Sequence, residues 1–330
     1  MTSREQPDHS RRAVPAFHAG LLHPHYWPAW LGIGVLSLLL LLPQALRDAI
    51  GKGLGELNYR FADRRRRIAR INVDLCFPRQ SERERDDLVR GHCHAFGRAL
   101  VDLPRLWWDR KGRFGQRECS FRGLDIVRRH VEAGRSVILL NPHTVAVDFG
   151  GAALTQHFAM STMFNPMGHP VADWLIARTR ARYGALFARD DGLRPVLRAL
   201  RRGTVFYYMP DEDLGQRDSV FAPFFGHQKA TLATLSRLAR VGNTVVVPMV
   251  AFYDPGARRY EIMLLPTLEN FPSGDDQADA TAMNAALERA IRRRPEAYLW
   301  TFRLFRTRPD GETSPYKGLN KRKANRESRA

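Results

Sequence analysis

The chain has 330 residues, 44% of them hydrophobic, enough to bury a core as one large domain or as one domain with an appendage, which excludes a disordered chain. Its 52 Lys and Arg outnumber 34 Asp and Glu to leave a formal charge of +18, so the expected surroundings are anionic: nucleic acid, anionic lipid or a phosphorylated substrate. Three scattered cysteines, Cys76, Cys93 and Cys119, exclude a disulfide framework and a paired-cysteine zinc site, and no metal is expected.

The first basic, proline-containing stretch reads as a flexible tail, residues 1–25. YWPAWLGIGVLSLLLLLPQAL follows, and from Trp27 to Leu46 it carries no charge. About twenty such residues of helix cross a bilayer core. Tyr26, Trp27 and Trp30 crowd one end, where aromatic rings favour the interface, and Arg47, Lys52, Arg60 and the run Arg64 to Arg67 crowd the other. A membrane anchor helix is therefore expected over residues 26–50, with the following domain cytoplasmic, although Arg4, Arg11 and Arg12 soften the charge asymmetry. A signal peptide would need a shorter leader and a small-residue cleavage site. A buried core helix is the other rival, given Pro43. The arginine run beside the anchor is expected to meet anionic head groups.

Helical periodicity continues to Trp108, broken at CFPRQSERE, where Ser81 and Glu84 have the spacing of a capping box. Strands then alternate with helices: SVILL, STMF, LFAR, TVFYYMP, TVVVPMVAFY and YEIMLLP, separated by helices near Val145, WLIARTRARYG, PVLRALRR and TLATLSRLAR. That alternation predicts an α/β fold, a sheet flanked by helices, over residues 51–316. The end of the chain, 317–330, lacks apolar periodicity and is expected to be a disordered basic tail.

LLNPHTVAVDFGG, Leu139 to Gly151, places His143 at the exit of a buried strand and Asp148 in the helix that follows. On one continuous helix the two would point roughly 140° apart, so they meet only if His143 lies outside it. Loops at strand ends form the usual crevice of open α/β sheets. There a carboxylate can fix the imidazole tautomer and leave the other nitrogen as a base for a hydroxyl attacking an acyl carbonyl.

His143 and Asp148 match the HxxxxD signature of the lysophospholipid acyltransferase superfamily. The chain resembles its branch of lipid A late (lauroyl or myristoyl) acyltransferases further, in order, through MFNPMGHPVADWLIARTRARYG, LFARDDGLRPVLRALRRG, YYMPDEDLG, VFAPFFGHQKATLATLSRLAR and PEAYLWTFRLFRTRPDG. The likeness spans Tyr26 to Tyr316 and is closer to the secondary-myristoyl type. The family's closing segment often carries a histidine where Thr301 or Phe302 stands here. The resemblance implies a glycerol-phosphate-acyltransferase-like mixed sheet with an N-terminal membrane helix, at the cytoplasmic face of a bacterial inner membrane. It also implies transfer of an acyl chain from an acyl carrier protein thioester to a phosphorylated lipid A precursor, with His143 as base, Asp148 as its orienter and no cofactor.

By the same resemblance Arg180, Arg182, Arg189, Asp211, Asp213 and Lys229 bind substrate, with Arg180 the better candidate on its helix. Each admits a structural reading too. Arg178, Arg180 and Arg182 spread over about 200° of a helix and can form a solvated basic face. Arg189 can pair with Asp190, Asp191 or Asp211, and PDEDLG has turn chemistry. Phe221, Phe224 and Phe225 line an acyl groove or fill a core loop.

No GxSxG elbow and no P-loop occur, so a serine acyl-enzyme and nucleotide binding are unsupported. A glycerolipid acyltransferase using the same histidine is the nearest alternative. A basic, membrane-attached nucleic-acid-binding protein would explain the charge but not the placement of His143, so no nucleic-acid partner is expected.

Overall fold

The structure, a computed structural model, describes residues 14–319 except 110, 111 and 116. Arg4, Arg11, Arg12 and the end of the chain from residue 320 lie outside the described residues. Ten helices and nine strands follow one another among them. Four helices come first: α1 (Trp27–Leu38), α2 (Gln44–Phe61), α3 (Asp63–Cys76) and α4 (Glu82–Trp107). Then β1 (Cys119–Arg122), α5 (Leu124–Glu132), β2 (Ser136–Leu140), α6 (Val147–Leu154), β3 (Met160–Phe164), α7 (Pro170–Tyr183), β4 (Ala185–Ala188), α8 (Arg194–Arg201) and β5 (Val205–Tyr208) alternate. The chain ends with β6 (Ser219–Phe224), β7 (His227–Leu232), α9 (Thr234–Gly242), β8 (Thr244–Asp254), β9 (Arg259–Leu264) and α10 (Asp276–Ile291).

Seven strands form a mixed sheet in the order β1-β9-β8-β2-β5-β3-β4. The five from β8 to β4 are mutually parallel, whereas β9 runs antiparallel to β8. Side chains alternate across the sheet. Val137, Leu139, Val205 and Tyr207 pack toward α5 and α6, and Ile138, Leu140 and Phe206 toward α8, α9 and α10. The expected α/β fold with a mixed, helix-flanked sheet is the one observed. The predicted strands all occur; β1 and the β6–β7 hairpin were not foreseen. VFAPFFG makes that hairpin because Phe225 and Gly226, at φ of 49° and 80°, form the two-residue turn that matches strand twist. Phe224 and Phe225 are buried against Phe77, Trp300 and Phe305, so they fill the core and do not line a groove.

The expected anchor over 26–50 is not one helix. α1 passes into a short 3₁₀ turn at Leu39–Leu41, and the chain turns extended at Leu42 and Pro43 before α2 starts. Proline lacks an amide N–H and forces the preceding residue away from helical geometry, which ends α1 here. Pro24–Leu41 remains apolar enough to cross a membrane, with a mean hydropathy of 1.2 over 18 residues. One side of α1 packs Trp30, Ile33 and Leu36 against Trp107, Val171 and Trp174. Trp27, Leu31, Val35 and Leu38, at helical spacing, are half or more exposed. Residues 19–25, expected within a flexible tail, lie in two 3₁₀ turns that end at Tyr26, because Leu21 buries its side chain and its carbonyl accepts the Trp30 indole N–H at 2.7 Å.

α2 lies against α4 at backbone distance. A Cβ on Gly97 would stand 2.2 Å from the Gly51 carbonyl oxygen and 2.6 Å from the Gly55 nitrogen, so only glycine fits. Beside this seam the wholly buried Asp102 accepts from Arg47 and Tyr260 and pairs with Arg98 at 2.8 Å. Arg47 is therefore an internal ion-pair partner and not a flank for lipid. Arg66 and Arg67 of the arginine run bond Asp63 within their own helix. The Ser81–Glu84 capping box opens α4 as expected. Gly97→Ala is expected to separate α2 from α4 and lower unfolding free energy by about 3 kcal/mol or more, read as a fall in the urea midpoint of the detergent-solubilised protein.

Candidate active site

The register of β2 on β5 builds the centre. Leu140 stands opposite Tyr208, and the ladder runs one step further as the Asn141 N–H donates to the Tyr208 carbonyl at 2.9 Å. His143 and Asp211 each come three residues beyond that last matched pair. The two loops therefore leave the sheet side by side, and the Asp211 carboxylate takes both polar groups that His143 turns toward it. One oxygen accepts the His143 backbone N–H at 2.8 Å and the other meets Nδ1 of the imidazole. Asp211 has no exposed surface, whereas the His143 side chain keeps about a fifth of its own. Its Nε2 lies 3.9 Å from the half-exposed Glu212.

Other elements hold this loop from below. The Leu299 N–H donates to the His143 carbonyl and the Val145 N–H to the Ala297 carbonyl, both at 2.8 Å, which clamps the loop to the chain after α10. Phe302 from the same segment sets its ring edge-on to the imidazole, with centroids 5.1 Å apart. That segment is fixed in turn by the buried Asn72 of α3, whose amide donates to the Trp300 and Phe302 carbonyls at 2.7 and 2.6 Å. No pattern in the sequence singled out Asn72, because its partners lie more than two hundred residues away.

Burial pushes the His143 imidazole toward lower pKa, but the Asp211 carboxylate, with Glu212 beside it, offsets this, and the net direction is upward from the ordinary histidine value. Burial raises Asp211, yet His143 and Lys229 together hold it below the usual carboxylate range. Lys229 is itself wholly buried on β7, and burial lowers it despite Asp211, Asp213 and Glu212. The arrangement is a buried carboxylate on one nitrogen of a partly exposed histidine, with Glu212 3.9 Å from the other nitrogen.

Asp148, expected beside His143, is engaged elsewhere. Arg180, near the end of α7, forks onto it with Nε at 2.6 Å and a terminal nitrogen at 3.2 Å. Asp148 sits in the first turn of α6, which packs beside α7. The pair stands at one side of a small apolar recess, also lined by Leu106, Val147, Met160, Thr179, Tyr183 and Met209. Bidentate pairing is a property of guanidinium that an ammonium cannot copy. Arg180→Lys is expected to lower stability by about 1 kcal/mol, modest because both side chains are about a quarter exposed, and a denaturant titration would register it.

The remaining expected substrate contacts divide. Arg182 donates to the Trp107 carbonyl at 2.6 Å and to the Asp109 carbonyl, satisfying the end of α4. Asp213 accepts the Thr307 N–H and hydroxyl at 2.6 and 2.7 Å and fastens the chain's closing segment. Lys229 and Asp211 are buried beneath the site. Arg189 is exposed on the 3₁₀ turn after β4 and has no hydrogen bond or ion pair among the described residues. Arg180 and Arg189 are thus the two basic candidates that retain access to a ligand.

Comparison with known proteins agrees with this architecture. The model of a family described as bacterial lipid A biosynthesis acyltransferase matches residues 14–307. A lipid A biosynthesis acyltransferase of Haemophilus influenzae is 36% identical over 298 residues, 90% of this chain and 93% of its own. A lipid A biosynthesis myristoyltransferase of Escherichia coli is 36% identical over 92% of this chain and 94% of its own, and a lauroyltransferase of the same organism 34% over 92% and 99%.

Proposed function

Since this chain belongs to the bacterial lipid A biosynthesis acyltransferase family and is an acyltransferase, we propose that it transfers a fatty acyl chain from an acyl carrier protein thioester to a hydroxyl of a phosphorylated lipid A precursor. His143 is the general base in this reading, and the observation that carries it is the buried Asp211 carboxylate on Nδ1. A carboxylate there keeps the proton on Nδ1 and leaves the Nε2 lone pair free for the acceptor hydroxyl. As Nε2 takes that proton, the hydroxyl oxygen bonds to the thioester carbonyl carbon. The tetrahedral intermediate then expels the thiolate, which recovers the proton from the imidazolium, so one ester forms and one thioester breaks without an acyl-enzyme. Asp211 stabilises the imidazolium in between.

The expected orienter, Asp148, has a different task in this scheme. It holds Arg180 at the apolar recess, where a guanidinium can stabilise the intermediate's oxyanion or a substrate phosphate. Arg189, exposed and unpaired, serves the phosphorylated acceptor.

The enzyme sits at the cytoplasmic face of the inner membrane with α1 as its single anchor, and the apolar stretch Pro24–Leu41 supports this. Twelve residues of α-helix and three of 3₁₀ span roughly 24 Å, somewhat under the ~30 Å of a bilayer core. The exposed Trp27, Leu31, Val35 and Leu38 meet anionic inner-membrane lipid. The test is incubation of detergent-purified protein with carrier thioesters of graded chain length and a lipid A precursor. Mass spectrometry should show one added acyl group. Acylation of a lysophospholipid and not of the lipid A precursor would replace this reading with the glycerolipid one.

A further inference from the structure

The far side of the sheet carries a basic face that the proposed chemistry does not use. α8 presents Arg194, Arg198 and Arg201 at i, i+4 and i+7, within about 60° of arc, while Val196, Ala199 and Leu200 are buried beneath it. Arg202 continues the stripe. α9, packed beside α8, adds exposed Arg237 and Arg240, with Val241 left 55% exposed next to them. Only Arg237 among these six arginines has an acidic partner among the described residues, Asp276 at 3.8 Å.

Position separates the possible occupants. α1, with its exposed apolar stripe, packs on α4 and α7, on the side of the sheet that holds α6. α8 and α9 cover the opposite side, as the alternation of Phe206 against Val205 and Tyr207 requires. A bilayer that receives α1 therefore does not reach this basic face, and its occupant is soluble. Arg194 lies just after β4, at the end of the sheet where His143 leaves β2. β4 is three strands from β2, roughly 14 Å. A partner docked here can pass a flexible thioester arm over the strand ends to the histidine.

We propose that the α8–α9 face docks the acidic, soluble carrier protein that brings the acyl thioester. This rests on the carrier-thioester reading given above. Exposed, unpaired arginines in a stripe steer an acidic partner and fix its orientation, and such attraction weakens with salt. Asp190 and Asp191 border the upper edge and would exclude carriers docked with a different register.

The test compares the full-length wild type with Arg194→Glu/Arg198→Glu/Arg201→Glu, using one acyl chain on two donors, the carrier protein and free pantetheine, with lipid A precursor saturating. The variant should lose about tenfold or more in kcat/KM for the carrier donor, chiefly through KM, and lose most of its salt dependence. Its turnover of acyl-pantetheine should match wild type, which also certifies the fold. Equal loss on both donors, or undiminished use of the carrier donor, would overturn the docking surface. So would a fall in sedimentation with phosphatidylglycerol vesicles, which would assign the face to lipid. If wild type itself uses acyl-pantetheine as efficiently as the carrier donor, the donor reading fails, a result separable from failure of the surface alone.

Discussion

His143→Gln is expected to fold and to lose acyl transfer by about 10²- to 10⁴-fold, the range of a missing general base. Glutamine is the informative substitution. Asp211 is wholly buried and meets the imidazole directly, so His143→Ala takes the imidazole away from a buried carboxylate. An unpaired buried charge destabilises by about 3 kcal/mol or more and would confuse lost chemistry with lost fold. A glutamine amide can still donate to Asp211 but cannot accept and release a proton near neutrality. The measurement is single-turnover acyl transfer followed by mass spectrometry, beside a thermal melt. A folded His143→Gln protein with wild-type rates would remove the histidine from the mechanism.

Asp211→Asn should reduce kcat by about 10²-fold or more and displace the pH profile. In the wild type the active form has neutral His143, so activity rises with pH through the imidazole pKa. The Asp211 charge lifts that pKa despite burial, and the acid limb of kcat/KM should therefore lie above the ordinary value of about 6.5. Replacing the carboxylate by an amide removes the lifting charge while burial still acts, so the limb moves to lower pH. The asparagine amide also presents an N–H to Nδ1, which favours the tautomer with the proton on Nε2 and deprives the acceptor hydroxyl of its base. Asp148→Asn provides the contrast. It breaks the fork with Arg180 and should lower activity with the limb left in place. A limb that moves for Asp148→Asn and stays for Asp211→Asn would restore the assignment expected from the HxxxxD spacing.

That contrast marks where sequence reading stopped. SVILL, TVFYYMP and TVVVPMVAFY were legible as strands because each is an apolar run bounded by breakers, and parallel strands buried on both faces have that composition. The Ser81 cap was legible because capping is local. Local spacing also placed His143 outside α6, at a strand exit. It could not choose the histidine's carboxylate, since Asp148 is five residues away in the chain and Asp211 is 68. The choice follows from β5 being the neighbour of β2 and from their register, both products of the whole sheet.

The same division runs through the arginines. Arg182 and Arg180 look alike in RTRARYG, yet one caps α4 and the other holds Asp148, because α7 lies between α4 and α6. By itself the sequence determined an α/β domain, an apolar N-terminal segment and a histidine loop at a strand exit, all encoded in patterns over short stretches. Tertiary structure decided which charges meet, which are buried and which remain free. Those outcomes depend on strand order, register and burial, and a contact between residues 68 or 230 positions apart leaves no periodic trace in the chain.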